Sequence, residues 1–363
     1  MAKTVLGIIF GGKSTEYEVS CRSAYSVLEN ASKEKYDIVK IGVSRDGKWH
    51  VYRGPDEKIK DRSWINDTEN LTKCFLSTDY GDHAVYETDK DGRVTRVPLD
   101  VVFPVMHGAY CEDGRLQGAL DMSGIPYVGP GCASSAVCMD KAFTKLLLSN
   151  YGVPTAECVY VSRAELESDE DAVRSDVEED LEYPVFVKPA NSGSSVGITK
   201  VKEAKDLIPA LKEAAKFDSK ILVERAIVGR EVEVAVIGNE RPEALGCGEV
   251  IPGAEFYDYN DKYNDGKSVC VVPAKVRRST WLNLKTLAEQ IYSHLDCRGL
   301  SRVDFFVCDD EKTIVFNEIN TLPGFTSISL YPQIAMSSGM KYSEVIDRLV
   351  ALAFERREKE SDE

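Results

Sequence analysis

Two carboxylates and one amide near the C-terminus have the residue types and spacing of a magnesium site. Residues 301–307 read SRVDFFV, and after a short charged turn residues 314–326 read IVFNEINTLPGFT. We expect two neighbouring strands, with Asp304 on the first and with Glu318 and Asn320 on one face of the second, because side chains alternate along a strand. Such oxygen ligands suit a hard cation that takes its other ligands from water and nucleotide phosphates. The alternative is that these side chains are only solvated at strand ends.

A lysine followed by a loop of small residues predicts a phosphate-binding segment. Lys188 lies near the end of the apolar run PVFVKP, and the loop ANSGSSVG follows at residues 190–197. Small residues such as Ser194 and Ser195 let backbone amides approach phosphate oxygens, and the lysine adds a point charge. Lys141, at the start of a predicted helix, is placed to reach the same phosphates. A Gly/Ser hairpin without a ligand is the alternative.

Two further carboxylates, Glu224 and Glu231, bracket the segment AIVGR at the end of a predicted strand. Carboxylates in this position are suited to hold the ribose or the amino group of a nucleotide. If either carboxylate is taken alone, the simpler interpretation is that it is a surface charge.

The segment TEYE, residues 15–18, precedes a predicted helix and offers a carboxylate to a cleft. Thr15 and Glu18 have the spacing of a capping box, in which both side chains hydrogen-bond the first helical turn. The box accounts for Glu18 and leaves Glu16 available to bind an ammonium group.

His107 ends a second buried strand in the segment MHGAYCEDG. This position is typical of a half-buried structural histidine whose ring nitrogen is hydrogen-bonded, and it is equally typical of a histidine that acts in a site. Cys111, four residues later, suggests a Cys–His dyad. Nothing else in the sequence supports a cysteine nucleophile, so we disfavour that chemistry.

Residues 7–14, GIIFGGKS, formally match the nucleotide-binding pattern G-x4-G-K-S. In a true P-loop the variable residues form the loop whose amides surround the phosphates. Here they include Ile8, Ile9 and Phe10, which belong in a buried strand. We therefore reject Lys13 as a phosphate ligand.

The segment EFYDYNDKYNDGKSVCVVPA, residues 255–274, is polar, aromatic and long enough to close over a reacting centre. Such lids exclude water from reactive intermediates. An ordinary long surface loop is the alternative.

Composition excludes several classes of protein. The 363 residues carry a formal net charge of −15 with acidic and basic residues interspersed, which disfavours nucleic acid as a partner. The ten cysteines show no metal-finger spacing, the chain opens without a signal peptide, and no apolar run approaches the length of a membrane span. We expect a soluble, cytoplasmic protein with reduced thiols.

The order of apolar runs predicts three domains. Strands that are apolar on both faces alternate with helices over residues 1–129, which indicates an α/β domain with a parallel sheet. Residues 130–226 form a smaller second domain that contains the lysine strand and the Gly/Ser loop. Residues 227–363 carry adjacent, antiparallel-type strands and two helices, and are therefore α+β.

Six segments in this order resemble the D-alanine:D-alanine ligase family: GGKSTEYEVS, MHGAYCEDGRLQG, KPANSGSSVG, FYDYNDKY, SRVDFF and NEINTLPGFTSISLYP. The likeness runs from about residue 4 to about residue 350, and the ordered set is highly specific. The resemblance implies a three-domain ATP-grasp fold, with ATP between the second and third domains.

The resemblance also implies a two-step ligation for peptidoglycan precursor synthesis. ATP phosphorylates the carboxylate of a first D-alanine, and the amine of a second D-alanine attacks the D-alanyl phosphate through a tetrahedral intermediate. The implied cofactors are ATP and Mg²⁺, with two ions and with Mn²⁺ as a substitute. The implied assembly is a homodimer without nucleic acid or membrane partners.

Residue roles follow from the same resemblance. Glu16 would bind the first substrate's ammonium in a network with Ser194 and Tyr263, and His107 would lie beside that substrate. Nucleotide contacts would come from Lys141, Lys188, Ser194, Ser195, Glu224, Glu231 and Lys262. Metal ligands would be Asp304, Glu318 and Asn320. Arg302 and the amide of Gly324 would stabilise the charge on the transferred phosphoryl group and the oxyanion, and Ser329 and the amide of Leu330 would receive the second carboxylate.

The second substrate is predicted from two positions. Segments STEYEVS and GFTS resemble the D-alanine:D-serine branch of the vancomycin-resistance ligases, which also include D-alanine:D-lactate enzymes. Tyr263 is retained, however, and Leu330 stands where those enzymes carry arginine. The apolar Leu330 side chain fits the methyl group of D-alanine, so we expect D-alanine to be preferred as the second substrate.

Two other functions stay open at this point. One is an ATP-grasp protein that binds nucleotide without catalysis, and the other is a ligase of a different carboxylate and amine. The intact set of Arg302, Asp304, Glu318 and Asn320 argues against the first. Glu16 with Tyr263 and Ser194 favours an amino acid as first substrate.

Overall fold

The computed structural model describes residues 2–253 and 268–362 of the chain. These residues form three sheets of seven, four and five strands, named here the N-terminal, central and C-terminal sheets. The strands of the N-terminal sheet are β1 (Thr4–Gly11), β2 (Tyr36–Val43), β3 (Trp49–Tyr52), β4 (Leu71–Leu76), β5 (Ala84–Thr88), β6 (Val94–Pro98) and β7 (Val101–Val105). Those of the central sheet are β8 (Cys158–Ser162), β9 (Val185–Pro189), β10 (Thr199–Val201) and β11 (Lys220–Arg225). Those of the C-terminal sheet are β12 (Arg230–Gly238), β13 (Glu243–Ile251), β14 (Val269–Val271), β15 (Gly299–Val307) and β16 (Ile314–Asn320).

The α-helices in the described ranges are α1 (Tyr17–Asn30), α2 (Glu57–Lys60), α3 (Arg115–Ser123), α4 (Cys132–Met139), α5 (Lys141–Ser149), α6 (Arg163–Ser168), α7 (Glu170–Asp180), α8 (Leu207–Ala214), α9 (Arg278–His294), α10 (Leu330–Ser337) and α11 (Tyr342–Asp362). Short 3-10 turns cover Ser63–Asn66 and Ala204–Asp206. None of these helices is both long and apolar enough to cross a membrane.

The N-terminal sheet is parallel at its core and antiparallel beyond it. Strand β1 lies between β2 and β7 and pairs with both in parallel, as the apolar runs of the sequence predict. From β2 outward the strands β3 to β6 form an antiparallel meander. The apolar runs of the sequence did not predict this extension, because its strands mix exposed polar residues with apolar ones.

The central sheet has order β10-β9-β11-β8, and its two faces differ in chemistry. Val185, Val187, Ile221 and Val223 are buried in a core with residues of α7 and α8. Because side chains alternate along a strand, the opposite face carries Lys188 and its neighbours. The alternation therefore gives this sheet one face that packs against α7 and α8 and an opposite face that carries Lys188, called here the chemical face.

The C-terminal sheet, of order β14-β13-β12-β15-β16, is antiparallel throughout its described strands. On one face Val234, Val303 and Phe305 pack with apolar residues of α9. On the other face Ala235 and Ile237 belong to the same core as residues of α10 and α11. The polar residues of this second face lie where the sheet meets the other two sheets.

Helix α11 joins the first and third sheets into one packed unit. Val345, Ile346 and Leu349 recur at helical spacing and share a hydrophobic core with Ile8 and Phe10 of β1. The three sheets each lie inside one of the segments 1–129, 130–226 and 227–363, whose limits stay a prediction from the sequence.

Candidate active site

A cavity of about 680 Å³ is lined by segments that belong to all three sheets. Its walls come from the start of α1, the segment after β7, the start of α5, the Gly/Ser loop, strands β12, β15 and β16, and the segment between β16 and α10. The structure brings ten of the sequence-predicted site residues to these walls: Glu16, His107, Lys141, Ser194, Arg302, Glu318, Asn320, Gly324, Ser329 and Leu330.

The predicted metal ligands lie on adjacent strands. Asp304 of β15 is the register partner of Glu318 in β16, and Asn320 lies two residues farther along β16. The Asn320 Nδ2 donates to Asp304 Oδ2 at 3.0 Å, and Glu318 Oε2 lies 3.3 Å from the Lys141 ammonium. Two carboxylates and an amide therefore face one region, as the sequence predicted.

This donor set fits a hard divalent cation that keeps several outside ligands. All three side chains supply oxygen, the ligand atom that Mg²⁺ prefers. In residues 2–253 and 268–362 no cluster of three or more His, Cys, Asp or Glu side chains offers a complete protein cage for a metal. The arrangement suits an ion that takes its remaining ligands from phosphates and water.

Arg302 fixes the orientation of Asp304. Its Nε and Nη2 donate to the two Asp304 oxygens at 2.8 and 2.7 Å, and its Nε also lies 2.8 Å from Glu233 Oε2. The side chains of Asp304 and Glu233 are only 2% and 4% exposed. Two buried carboxylates thus share one guanidinium, which lines the cavity.

Glu16 is buried where α1 meets the Gly/Ser loop. Ser194 Oγ donates to Glu16 Oε1, which joins the N-terminal segment to the central one. A Cβ at Gly193 would lie 2.6 Å from Glu16 Oε2, so a side chain there would displace the Glu16 carboxylate. Ser194 and Ser195 both have left-handed backbones, with φ of 48° and 59°. Strained residues of this kind occur most often at ligand sites.

The predicted capping box at the start of α1 is wrong. Helix α1 begins at Tyr17 with Glu16 as its N-cap, and no side chain caps it. Instead, Ser14 Oγ accepts from the Glu16 N–H at 3.0 Å. Glu18 is paired with Arg45 and Arg62 on the surface. The local spacing was correct for a box, but the two arginines from other segments attract Glu18 away from the helix end.

His107 connects the N-terminal domain to the segment after β16. Its Nε2 lies 3.0 Å from Ser23 Oγ and its Nδ1 2.9 Å from the Leu322 carbonyl. Burial lowers the pKa of His107, which favours the neutral ring. Burial and the neighbouring Glu112 raise the pKa of Cys111 well above its ordinary value. A thiol held protonated in this way argues against the Cys–His dyad.

Glu112 reinforces the same junction. Its Oε2 accepts from the Gly108 N–H at 2.6 Å and its Oε1 from the Leu322 N–H at 3.0 Å. Burial, followed by the nearby Glu16 carboxylate, raises the pKa of Glu112 to about 8. This side chain therefore fixes two backbone segments that border the cavity.

The segment between β16 and α10 carries the predicted second-substrate residues. Ser329 precedes α10, and its Oγ accepts from the Thr326 N–H at 3.0 Å. A Cβ at Gly324 would lie 2.8 Å from Ser329 Oγ, so a side chain there would displace that hydroxyl. Leu330 is the first helical residue and is buried. It places an apolar side chain and a helix N-terminus at one end of the cavity.

The predicted phosphate lysines are engaged with protein groups. Lys141 Nζ donates to the Ser192 carbonyl at 2.8 Å. Lys188 Nζ lies 2.6 Å from Glu224 Oε2, and Lys145 Nζ lies 3.0 Å from Glu224 Oε1. Burial alone would raise the pKa of Glu224, but the two ammoniums outweigh it and lower that pKa to about 2. Glu224 thus forms buried ion pairs with two lysines in the protein alone.

The remaining sequence-predicted residues divide into two groups. Glu231 lies on β12, two residues before Glu233 and on the same face, and Ser195 lies in the Gly/Ser loop. Lys262 and Tyr263 lie outside the described residues, as does most of the predicted lid.

The sequence GIIFG is part of β1, which confirms that it is a strand and not a P-loop.

Family models match both halves of the chain. The description "D-ala D-ala ligase N-terminus" matches residues 5–130, and "D-ala D-ala ligase C-terminus" matches residues 147–351. The chain belongs to the D-alanine–D-alanine ligase family. Among curated members of this family, a D-alanine–D-alanine ligase of Caldicellulosiruptor bescii is 46% identical over 99% of the chain and 98% of the relative. One from Clostridium acetobutylicum is 44% identical over 98% of the chain and 99% of the relative.

Solved structures of the family share the fold. The VanG D-Ala:D-Ser ligase from Enterococcus faecalis is 39% identical and superposes with a TM-score of 0.88, covering 97% of this chain and all of that one. The D-alanine–D-alanine ligase from Coxiella burnetii is 31% identical with a TM-score of 0.87, covering 100% of this chain and 97% of that one. The predicted three-domain ATP-grasp class is thereby confirmed, and family membership implies ATP and a divalent metal.

Sequence reasoning missed Glu112, Glu233 and Lys145. Glu233 was detectable, because EVEVAVIG alternates and places Glu231 and Glu233 on the face opposite the buried valines. Glu112 lies within the quoted segment MHGAYCEDG, but its two backbone partners are distant in sequence. Lys145 looks like an ordinary helical lysine, and only its burial shows that it is not one.

Proposed function

We propose that this protein joins two D-alanines to D-alanyl-D-alanine at the expense of ATP, for peptidoglycan precursor synthesis. Family membership supports the reaction class. The proposal is carried by one observation, that two groups of side chains line the same cavity. Glu16 and Ser194 form one wall, and Arg302, Glu318 and Asn320 form another. An ammonium-binding carboxylate and a phosphoryl-transfer cluster are the two parts that this chemistry needs.

Glu16 is proposed to bind the first D-alanine. Its carboxylate is a buried acceptor, and the Ser194 hydroxyl holds one of its oxygens. The other oxygen is available to pair with the substrate ammonium, and His107 borders the same space. The resemblance adds Tyr263 to this network and Lys262 to the phosphate contacts.

Phosphoryl transfer is assigned to the cluster on β15 and β16. Lys141 and Lys188 bind phosphate oxygens, and Arg302 with the amide of Gly324 stabilises the charge that develops on the transferred group and then on the tetrahedral intermediate. Asp304, Glu318 and Asn320 would hold Mg²⁺, proposed as two ions for which Mn²⁺ would substitute. A metal held there would supply positive charge to offset the charge of the phosphates.

The second D-alanine is assigned to the segment after β16. Its carboxylate is received by the Ser329 hydroxyl and the Leu330 amide at the start of α10, where a helix favours an anion. The buried Leu330 side chain offers no hydrogen bond to a hydroxyl. We therefore propose that the catalytic efficiency, kcat/KM, is higher for D-alanine than for D-serine by about 10- to 100-fold.

A second candidate is a D-alanine:D-serine ligase. It is favoured by the similarity to the VanG enzyme, whereas the apolar Leu330 side chain favours D-alanine. The test is phosphate release by the purified protein with ATP, Mg²⁺ and D-alanine, D-serine or D-lactate, alone and in pairs, with products identified by mass. We expect D-alanyl-D-alanine as the main product near neutral pH. A higher kcat/KM for D-serine or D-lactate would overturn the assignment.

Two further properties are proposed with the function. A cytoplasmic location fits an enzyme that consumes ATP, and a homodimer is expected from the family resemblance. Light scattering of the purified protein measures the oligomeric state, and a monomer at all concentrations would contradict the dimer.

A further inference from the structure

Three charged side chains are buried together on the chemical face of the central sheet. Glu224 of β11 lies between Lys145 of α5 and Lys188 of β9, and each lysine pairs with a different carboxylate oxygen at 3.0 and 2.6 Å. The exposed fractions are 3% for Lys145, 5% for Glu224 and 11% for Lys188. Buried charges of this kind are stable only when they are paired.

Helix α5 places Lys145 at this position. Lys145 follows Lys141 by four residues, so the two lie one turn apart on one side of the helix. Lys141 reaches the Ser192 carbonyl and the Glu318 carboxylate, whereas Lys145 reaches Glu224. The helix therefore supplies one cation to the cavity and one to the buried carboxylate.

The function assigned to Lys188 creates an electrostatic problem. Lys188 Nζ donates to Glu224 Oε2 at 2.6 Å, and a phosphate bound at another of its three N–H groups would share the ammonium's charge with that carboxylate. Glu224 would then be a buried carboxylate with a weakened partner. Its register partners in the sheet are Phe186 and Cys158, which carry no positive charge. Lys145, on the helix above, is the second cation that touches it.

We propose that Lys145 is a positioning residue for nucleotide binding: it remains paired with Glu224 and so allows Lys188 to turn from that carboxylate to the nucleotide phosphates. The Lys145 side chain is 3% exposed, and its ammonium contacts Glu224. Without it, Glu224 and the phosphates compete for Lys188. The inference rests on the proposed function only in taking Lys188 as a phosphate ligand.

The test is the full-length variant Lys145→Met, which keeps the length of the side chain and removes its charge. We expect the Kd of the non-hydrolysable analogue AMP-PNP with Mg²⁺, measured by calorimetry, to rise at least 10-fold. The KM for ATP should rise similarly, while kcat at saturating ATP and the KM for D-alanine should change less than about 3-fold. Lys212→Met is the matched control, because Lys212 is in an exposed ion pair with Glu170 in the same domain and should leave all four constants unchanged.

A second comparison separates positioning from a merely structural role. In a Glu224→Gln background the carboxylate that pairs with both lysines is absent, so adding Lys145→Met should change the AMP-PNP Kd less than 2-fold. The double variant also lacks the uncompensated carboxylate, so it remains informative if Lys145→Met alone does not fold. Lys145→Arg, which keeps the charge, should restore most of the nucleotide affinity.

Unchanged Kd and KM for ATP in Lys145→Met would overturn the inference, as would a 10-fold loss of affinity from the same change in the Glu224→Gln background. These outcomes differ from a failure of the proposed function. Absence of D-alanine-dependent ATP turnover in the unmodified protein would refute the ligase itself. Normal turnover with an unaffected Lys145→Met variant would refute only the role of Lys145.

Discussion

The C-terminal and central sheets each contain a buried ion-pair cluster, and the roles of the positive and negative groups are exchanged between the two clusters. On the C-terminal sheet one guanidinium, Arg302, lies between the carboxylates of Asp304 and Glu233. On the central sheet one carboxylate, Glu224, lies between the ammoniums of Lys145 and Lys188. The first cluster therefore places one cation between two carboxylates, and the second places one carboxylate between two cations.

The difference explains what each region is suited to bind. Buried charges are stable only when they are paired, so we propose that each cluster is suited to a ligand whose sign is opposite to that of its two like charges. Anionic phosphates suit the lysine cluster, and a divalent cation suits the carboxylate cluster. The net charge of −15 predicts neither, because local arrangement, and not total charge, sets the field in a cleft.

The largest effect is expected from breaking the Arg302 cluster, on the C-terminal sheet, with Arg302→Met. Asp304 and Glu233 would both remain buried without their shared cation, so we expect a loss of about 3–5 kcal/mol in the free energy of unfolding together with loss of ligase activity. Denaturant unfolding measures the first and phosphate release the second.

Arg225→Met is the control for that variant. Arg225 is in an exposed ion pair with Glu157, which should contribute less than about 1 kcal/mol. Equal losses of unfolding free energy in the two variants would show that the buried Arg302 cluster stabilises the fold no more than an exposed ion pair does.

Glu318→Gln should separate catalysis from stability in the same sheet. Glu318 is 27% exposed, so the fold should remain intact, while the loss of a metal-binding charge should lower kcat by about 100- to 1000-fold. Asp309→Asn, at an exposed position in the β15–β16 turn, is the matched control. Full turnover by Glu318→Gln would refute the metal assignment.

The Glu224 cluster, on the central sheet, should be visible in the pH dependence of stability. The folded-state pKa of Glu224, about 2, lies below its unfolded value of about 4.3. Its ion pairs therefore stabilise the fold above that pH, and their contribution, on the order of 3 kcal/mol, is lost as pH falls toward 2. The difference in unfolding free energy between the unmodified protein and Glu224→Gln should shrink from pH 6 to pH 2. A difference that does not depend on pH would contradict the low pKa, and Glu213→Gln, in an exposed pair with Lys216, is the control.

The smallest effect is expected from Lys13→Ala. This lysine is exposed at the end of the rejected P-loop pattern, and its ammonium lies 5.4 Å from the centre of the Tyr110 ring. It belongs to neither cluster, so AMP-PNP affinity should stay within about 2-fold of the unmodified protein. A complete loss of nucleotide binding would restore the P-loop interpretation.

Sequence periodicity predicted most elements that carry the site. The runs at β1, β7, β9, β11 and β16 are almost wholly apolar, and they end near Gly11, His107, Lys188, Glu224 and Asn320. Strands β3 to β6 were missed because their apolar residues are mixed with exposed polar ones and show no clear period. The capping box failed because a local spacing cannot show which distant arginines will reach Glu18.

By itself, the sequence determined the family, the fold class and the residue types of the site, because these depend on local patterns and on an ordered set of segments. Only the tertiary structure decided which charges are buried and which partners they share. Lys145, Glu112 and Glu233 acquire their roles from contacts with residues far away in the chain. Burial removes the water that would otherwise screen those charges, and the folded packing of three sheets is what removes it.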